Sequence, residues 1–221
     1  MSSPLTTPST ILVFIWVFAN PNQSISNVTD TAGNGYAPDG TNQSVSTHQN
    51  CYIYRAQNAG TQANNQITVT LSGSGYITFC AIEVTGLQTS SPLDGAGSTN
   101  KSGASQGANF TATPGTFSTT NANDLIVFTF DDGNMATTNT PTGYTLVAKE
   151  DSGGAMEDGA AFYKIVSTTL TNENPSSSCT GNAGGQWDAV ALAYKGAVAT
   201  EHMPWFQSSI YEEFFEETIF Q

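Results

Sequence analysis

Two stretches of this 221-residue chain carry the same order of apolar and turn signals. Ile11–Phe18 (ILVFIWVF) has a counterpart in Leu125–Phe130 (LIVFTF). Gly35-Tyr36 is matched by Gly143-Tyr144, Tyr52-Ile53-Tyr54-Arg55 by Ala161-Phe162-Tyr163-Lys164, and Ala81–Gly86 (AIEVTG) by Ala191–Gly196 (ALAYKG). The order is kept, with about 110 residues between the members of each pair. A chain duplicated in this way makes two similar β units, and their natural product is a two-sheet jelly roll of two facing Greek keys. The expectation is an all-β fold: a single antiparallel two-sheet jelly-roll β-sandwich over residues 1–197, with similar halves at about 8–88 and 107–197. The Ser/Gly/Asn-rich stretch from Gln88 to Gly107 joins them, crossing between the sheets or lying over one edge. Either half alone would leave one apolar sheet face bare, so the two are expected to share a domain.

Local signals agree with β structure. Ile67–Leu71 and Tyr76–Phe79 alternate, and the apolar runs are rich in aromatic and β-branched residues. Turn clusters such as Ser72–Gly75, Asp132-Gly133-Asn134 and Ser152–Gly154 separate them. These signals place strands at 10–19, 25–30, 34–37, 50–57, 65–72, 75–86, 107–119, 123–131, 143–150, 159–167, 170–174 and 186–196. Ile11–Phe18 resembles a signal-peptide core, but it lacks a basic flank and a small-residue cleavage site, and it is too short to span a bilayer. Its repetition at Leu125–Phe130 makes both stretches buried strands, and no export signal is expected.

Charge narrows the partners. Five basic side chains face eighteen acidic ones, for a net charge of −13, and Arg55 is the only arginine. Nucleic-acid binding needs clustered Lys and Arg to displace counterions. Neither nucleic acid nor an anionic membrane is therefore expected as a partner.

Signatures of chemistry are sparse. Cys51, Cys80 and Cys179 form no CxxC or zinc spacing, and they read as buried thiols, with one disulfide as the alternative. His48 and His202 accompany no nucleophile motif, and no glycine-rich stretch has phosphate-binding spacing. The expectation is a protein that is not an enzyme and holds no cofactor. The best local group for a hard cation is Asp131, Asp132 and Asn134, a weak calcium candidate without EF-hand spacing, for which turn formation is a sufficient reason. Tyr36, Tyr52, Tyr54, Tyr144 and Trp187 could stack on a sugar, although their strand context favours core packing.

From residue 198 the chain changes character. Residues 201–221 read EHMPWFQSSIYEEFFEETIFQ, aromatic and acidic after the break at Pro204. Ser209 with Glu212 fits a capping box, and Phe206, Ile210 and Phe214 recur every fourth residue, predicting a short amphipathic helix. An extended arm adding a strand to a neighbour is the variant. Trp205, Phe206, Ile210, Tyr211, Phe214 and Phe215 are the candidate partner-binding residues.

Val28–Tyr36 (VTDTAGNGY), Tyr54–Gly73 (YRAQNAGTQANNQITVTLSG) and Ala81–Asn100 (AIEVTGLQTSSPLDGAGSTN) resemble a lectin-like, concanavalin-type jelly-roll domain. Such domains occur in phage structural proteins and environmental bacterial surface proteins. The resemblance covers roughly residues 8–197, supplies no catalytic residues, and implies a rigid sandwich used for display, adhesion or decoration. Together with the tail it sets the functional expectation: a virion structural protein, such as a phage capsid decoration or head/tail accessory protein. Its partners would be the capsid or sister subunits in a homo-oligomer. The alternatives are a carbohydrate-binding or receptor-binding adhesin with a surface glycan as ligand, a glycoside hydrolase or lyase on the same fold, and a self-assembling extracellular or cell-surface filament subunit.

Overall fold

The computed structural model describes residues 9–19, 23–39, 49–60, 64–95, 97, 99–104, 109–132, 135–150, 158–181 and 186–197. These hold fourteen strands and no helix. The first half contributes β1 (Ser9–Phe18), β2 (Ile25–Asp30), β3 (Tyr36–Asp39), β4 (Gln49–Ala59), β5 (Ile67–Leu71) and β6 (Tyr76–Thr85). Between the halves lie β7 (Thr99–Ala104) and β8 (Asn109–Ala112). The second half adds β9 (Asp124–Asp132), β10 (Met135–Thr138), β11 (Thr145–Glu150), β12 (Asp158–Val166), β13 (Ser177–Gly181) and β14 (Gln186–Lys195).

The repeat is real at the level of topology. The first half forms a sheet of order β3-β4-β1-β6 and a pair β2-β5; the second forms β11-β12-β9-β14-β7 and β10-β13-β8. Strand for strand, β9 to β14 take the places of β1 to β6, all antiparallel. In each half the pairing is nested, first strand with sixth, second with fifth, third with fourth.

The number of sheets differs from the expectation: four rather than two. The reason lies in β1 and β9. Residues Ile11–Val17 are all fully buried, and every residue of β9 is buried. A strand of a two-sheet sandwich has only one face to bury, and would alternate. Here Leu12, Phe14 and Trp16 of β1 join Leu125 and Val127 of β9 in a central core between the two larger sheets. Ile11, Val13, Ile15 and Val17 pack instead with Val28 and Val69 of the β2-β5 layer. Ile126, Phe128 and Phe130 pack with Phe110 of β8 and Cys179 of β13. The result is four layers with three cores, the larger sheets innermost.

The inner sheets approach closely at one glycine. Gly159 of β12 lies under the Trp16 indole, where a Cβ would overlap ring atoms. The indole N–H donates to Thr129 Oγ1 at 2.9 Å, and that hydroxyl donates to the Ala160 carbonyl at 3.0 Å.

Candidate functional site

Trp205, Phe206, Ile210, Tyr211, Phe214 and Phe215 lie outside the described residues, as do Asn134, His48 and His202. Asp131 and Asp132 are described, and they end a strand rather than sitting in a turn. Asp131 stands opposite Gly159 and Asp188, and Asp132 opposite Asp158 and Trp187. Successive side chains of a strand point to opposite faces. Asp131 and Asp188 accordingly share the central face with Cys51, whereas Asp132 and Asp158 share the outer face with Cys179. The adjacent carboxylates do not converge on a common cation. Among the described residues, no three His, Cys, Asp or Glu side chains are arranged to hold a metal ion.

Sequence reading missed the gathering of Asp131, Asp132, Asp158 and Asp188, each at most 1% exposed, at one end of the five-stranded sheet. The signal was weak, since nothing local in the chain says that these four meet. Their charge bears on the thiols. Burial, then Asp188 and Asp131, push the Cys51 thiol well above its ordinary range. Burial also raises Cys179, against hydrogen bonds to Thr138 and Ser177 that pull it down. The thiolate is the reactive form, so this environment suits inert structural cysteines. All three cysteines are buried and unbridged.

At the opposite end of β9, Asp94 accepts bonds from Thr120 N–H at 2.6 Å, Thr120 Oγ1 at 2.8 Å and Asn121 N–H at 2.9 Å. Asp124 accepts from Asn121 Nδ2 at 2.9 Å. Burial and the Asp94 charge raise the Asp124 carboxyl to about 6, although the Asn121 bond opposes them. The folded state thus holds this proton more tightly than the unfolded chain. Its stabilising contribution is complete below pH 3.8 and is lost as the pH rises through about 6. From pH 4 to pH 7 the loss is at most about 2 kcal/mol, less what solvent screening removes. Asp124→Asn is expected to flatten this part of the stability profile in urea titrations; an unchanged slope would show that the group titrates normally.

The aromatic residues form no common platform. Tyr36, Tyr52 and Tyr54 pack against the first outer core, while Tyr144 and Trp187 are buried in the second. Tyr36 Oη donates to Asp30 at 2.9 Å, and Tyr144 Oη to Glu173 at 3.1 Å. Core packing therefore accounts for them. On β8 and β13 there is an open groove of about 280 Å³, lined by the neutral polar side chains of Asn109, Thr111, Asn139, Ser178 and Thr180 above Phe110 and Cys179. It presents hydroxyls and amides, with no carboxylate or imidazole among its lining residues for acid–base work.

No protein-family profile matches the chain, and neither a curated protein nor a solved structure is significantly similar to it.

Proposed function

We propose that this protein is a structural, non-enzymatic component of a larger particle, a virion protein of the decoration or head/tail accessory kind, attached through residues 198–221 to the capsid or to sister subunits. The nested pairing of each half fits a jelly roll, and the shared central core fits two halves folding as one domain. The observation that carries the reading is the uneven distribution of apolar surface. Among the described residues, only Tyr76 and Ile165 are large apolar side chains left exposed. The 21 residues 201–221 hold Trp205, Phe206, Ile210, Tyr211, Phe214 and Phe215. A sandwich whose cores are filled from within, followed by an aromatic segment, suits attachment by anchor residues multiplied over many copies.

Deleting residues 201–221 is expected to leave the β-sheet circular dichroism intact and to reduce incorporation into purified particles at least about tenfold, as the loss of clustered hot-spot residues implies. Undiminished incorporation would overturn the assignment. The neutral groove on β8 and β13 favours a second reading, glycan binding by an adhesin. A glycan-array signal abolished by Asn109→Ala with Thr111→Ala would favour it over the first.

A further inference from the structure

The two outermost layers present the same groups to solvent. On the β2-β5 pair, Asn27 stands opposite Thr70 and Thr29 opposite Thr68, all four exposed, while Val28 and Val69 between them are buried. On the β8-β13 pair, Asn109 stands opposite Thr180 and Thr111 opposite Ser178, again exposed, with Phe110 and Cys179 buried between them. Each is a cross-strand quartet of one amide and three hydroxyls, in the same pairing order. The repeat puts β13 in the place of β5 and β10 in the place of β2. The second quartet is built instead on the other edge of β13, with β8. Duplication alone therefore does not produce it.

These groups are free to act outward. Thr180 aside, none of the eight side chains is bonded to another group among the described residues. Exposed hydroxyls elsewhere turn back on the protein: Ser26 Oγ donates to the Thr70 carbonyl at 3.0 Å, Ser72 Oγ to Gln23 Oε1 at 2.8 Å, and Thr113 Oγ1 to Asn174 Oδ1 at 2.7 Å. The quartets are also uncharged in a chain of net charge −13. β5, β8 and β13 hold no charged residue, and Asp30, the one charge of β2, accepts bonds from Asn34, Tyr36 and Asn65.

We infer that the outer faces of the β2-β5 and β8-β13 pairs are two binding sites for neutral saccharide. The inference rests on the glycan-binding reading above and adds a second site to it. A sugar hydroxyl both donates and accepts, and so do Asn, Ser and Thr side chains, so each quartet can match a run of them. The groups lie about 5 Å apart across the strands and about 7 Å apart along them, a patch the width of a sugar ring. On β8-β13 the quartet lines the open groove of about 280 Å³, joined there by Asn139. Desolvating uncharged groups costs far less than desolvating charges, and the acidic chain repels anionic sugars. A stack of copies on these faces fits less well, because stable protein interfaces have an apolar core. The two pairs are the outermost of the four layers, so their faces point away from each other. One molecule thus engages two glycan chains and links them, and weak single contacts add through avidity.

An array of glucan, mannan and galactan oligosaccharides beside sialylated and uronate-bearing ones tests the chemistry on the full-length protein. Signals are expected from the neutral set alone. Titration with the neutral oligosaccharide of strongest signal should give two sites per chain. One site should remain in Asn27→Ala with Thr29→Ala, one in Asn109→Ala with Thr111→Ala, and none when all four are replaced, with β-sheet circular dichroism unchanged. Beads coated with that oligosaccharide should be cross-linked by the unmodified protein and merely coated by either single-face variant. Retention on the beads should fall at least about 100-fold in each single-face variant. One site per chain, abolished on β8-β13 alone, would overturn the second site and leave the glycan reading standing. Signals from acidic glycans only, or from none, would overturn both. Cross-linking that survives in a single-face variant would assign the linking to association between copies, and the two-site inference would fall. Incorporation into particles is read separately, so none of these outcomes is confused with the attachment of residues 198–221.

Discussion

Replacing Trp16 by alanine is expected to remove about 3–5 kcal/mol of stability, a large part of the 5–15 kcal/mol of a typical domain. The indole is fully buried in the central core, among residues of both halves. Its removal leaves a cavity between two sheets that are each held on the far side by another layer, so collapse around it is restricted. Trp16→Phe separates packing from hydrogen bonding. Thr129 keeps its acceptor on Ala160, so no buried donor is stranded, and the loss should be nearer about 1–2 kcal/mol. Gly159→Ala should also destabilise, because its methyl would overlap the Trp16 ring. In the Trp16→Ala background the same methyl should be tolerated, a coupling of about 1–3 kcal/mol in a double-mutant cycle. Denaturant titrations read all four proteins. Additive effects, or a Trp16→Ala cost under about 1 kcal/mol, would mean that the inner sheets are not locked together at this position.

The repeat could be read from the chain because both halves place the same signals in the same order. The layering could not. A long apolar run such as Ile11–Phe18 announces burial, but not that its two faces serve different cores. The residue-by-residue parallel also slips. It matches Tyr54 with Tyr163, yet Tyr54 packs on the first outer core and Tyr163 on the central one. A shift of one residue exchanges the faces of a strand, and sequence similarity this loose does not fix a shift of one.

The missed strands have physical reasons too. β7 reads TNKSGA because an edge strand needs backbone bonds more than apolar alternation. Residues 170–174, expected as a strand, supply only a bridge from Glu173 to Phe117, and the strand proper is Ser177–Gly181. The carboxylates were legible as residues and illegible as a group. Asp132-Gly133-Asn134 carries turn chemistry, which conceals that β9 remains paired through Asp132. The tail stood out by composition alone.

The second large effect is expected at Asp39. Its carboxylate lies 2.7 Å from Arg55 Nε and accepts bonds from Arg55 Nη2 at 3.3 Å and from the Tyr194 hydroxyl at 2.9 Å. Arg55 belongs to the first half and Tyr194 to the second, so one carboxylate ties the chain's only arginine to the opposite sheet. Burial pushes Asp39 upward, against the Arg55 charge and the hydrogen bonds that pull it down. Burial, and then the neighbouring Asp39, push the Tyr194 hydroxyl well above its ordinary value, so it remains a donor at physiological pH. Asp39→Ala leaves a guanidinium and a phenol without their shared acceptor at a site shielded from water. Breaking a buried pair from one side costs about 3–5 kcal/mol, and that is the expected loss. Tyr194→Phe removes one neutral donor and should cost only about 1 kcal/mol. Replacing both charges, as Asp39→Leu with Arg55→Met, should recover most of the Asp39→Ala loss, since apolar residues of similar volume often substitute for a buried ion pair without penalty. Urea midpoints for the three variants decide the matter. If the double replacement is no more stable than Asp39→Ala, the pair contributes net attraction and not merely mutual neutralisation. If Asp39→Ala costs under about 1 kcal/mol, water reaches the guanidinium and the ion pair adds little to what holds the two halves together.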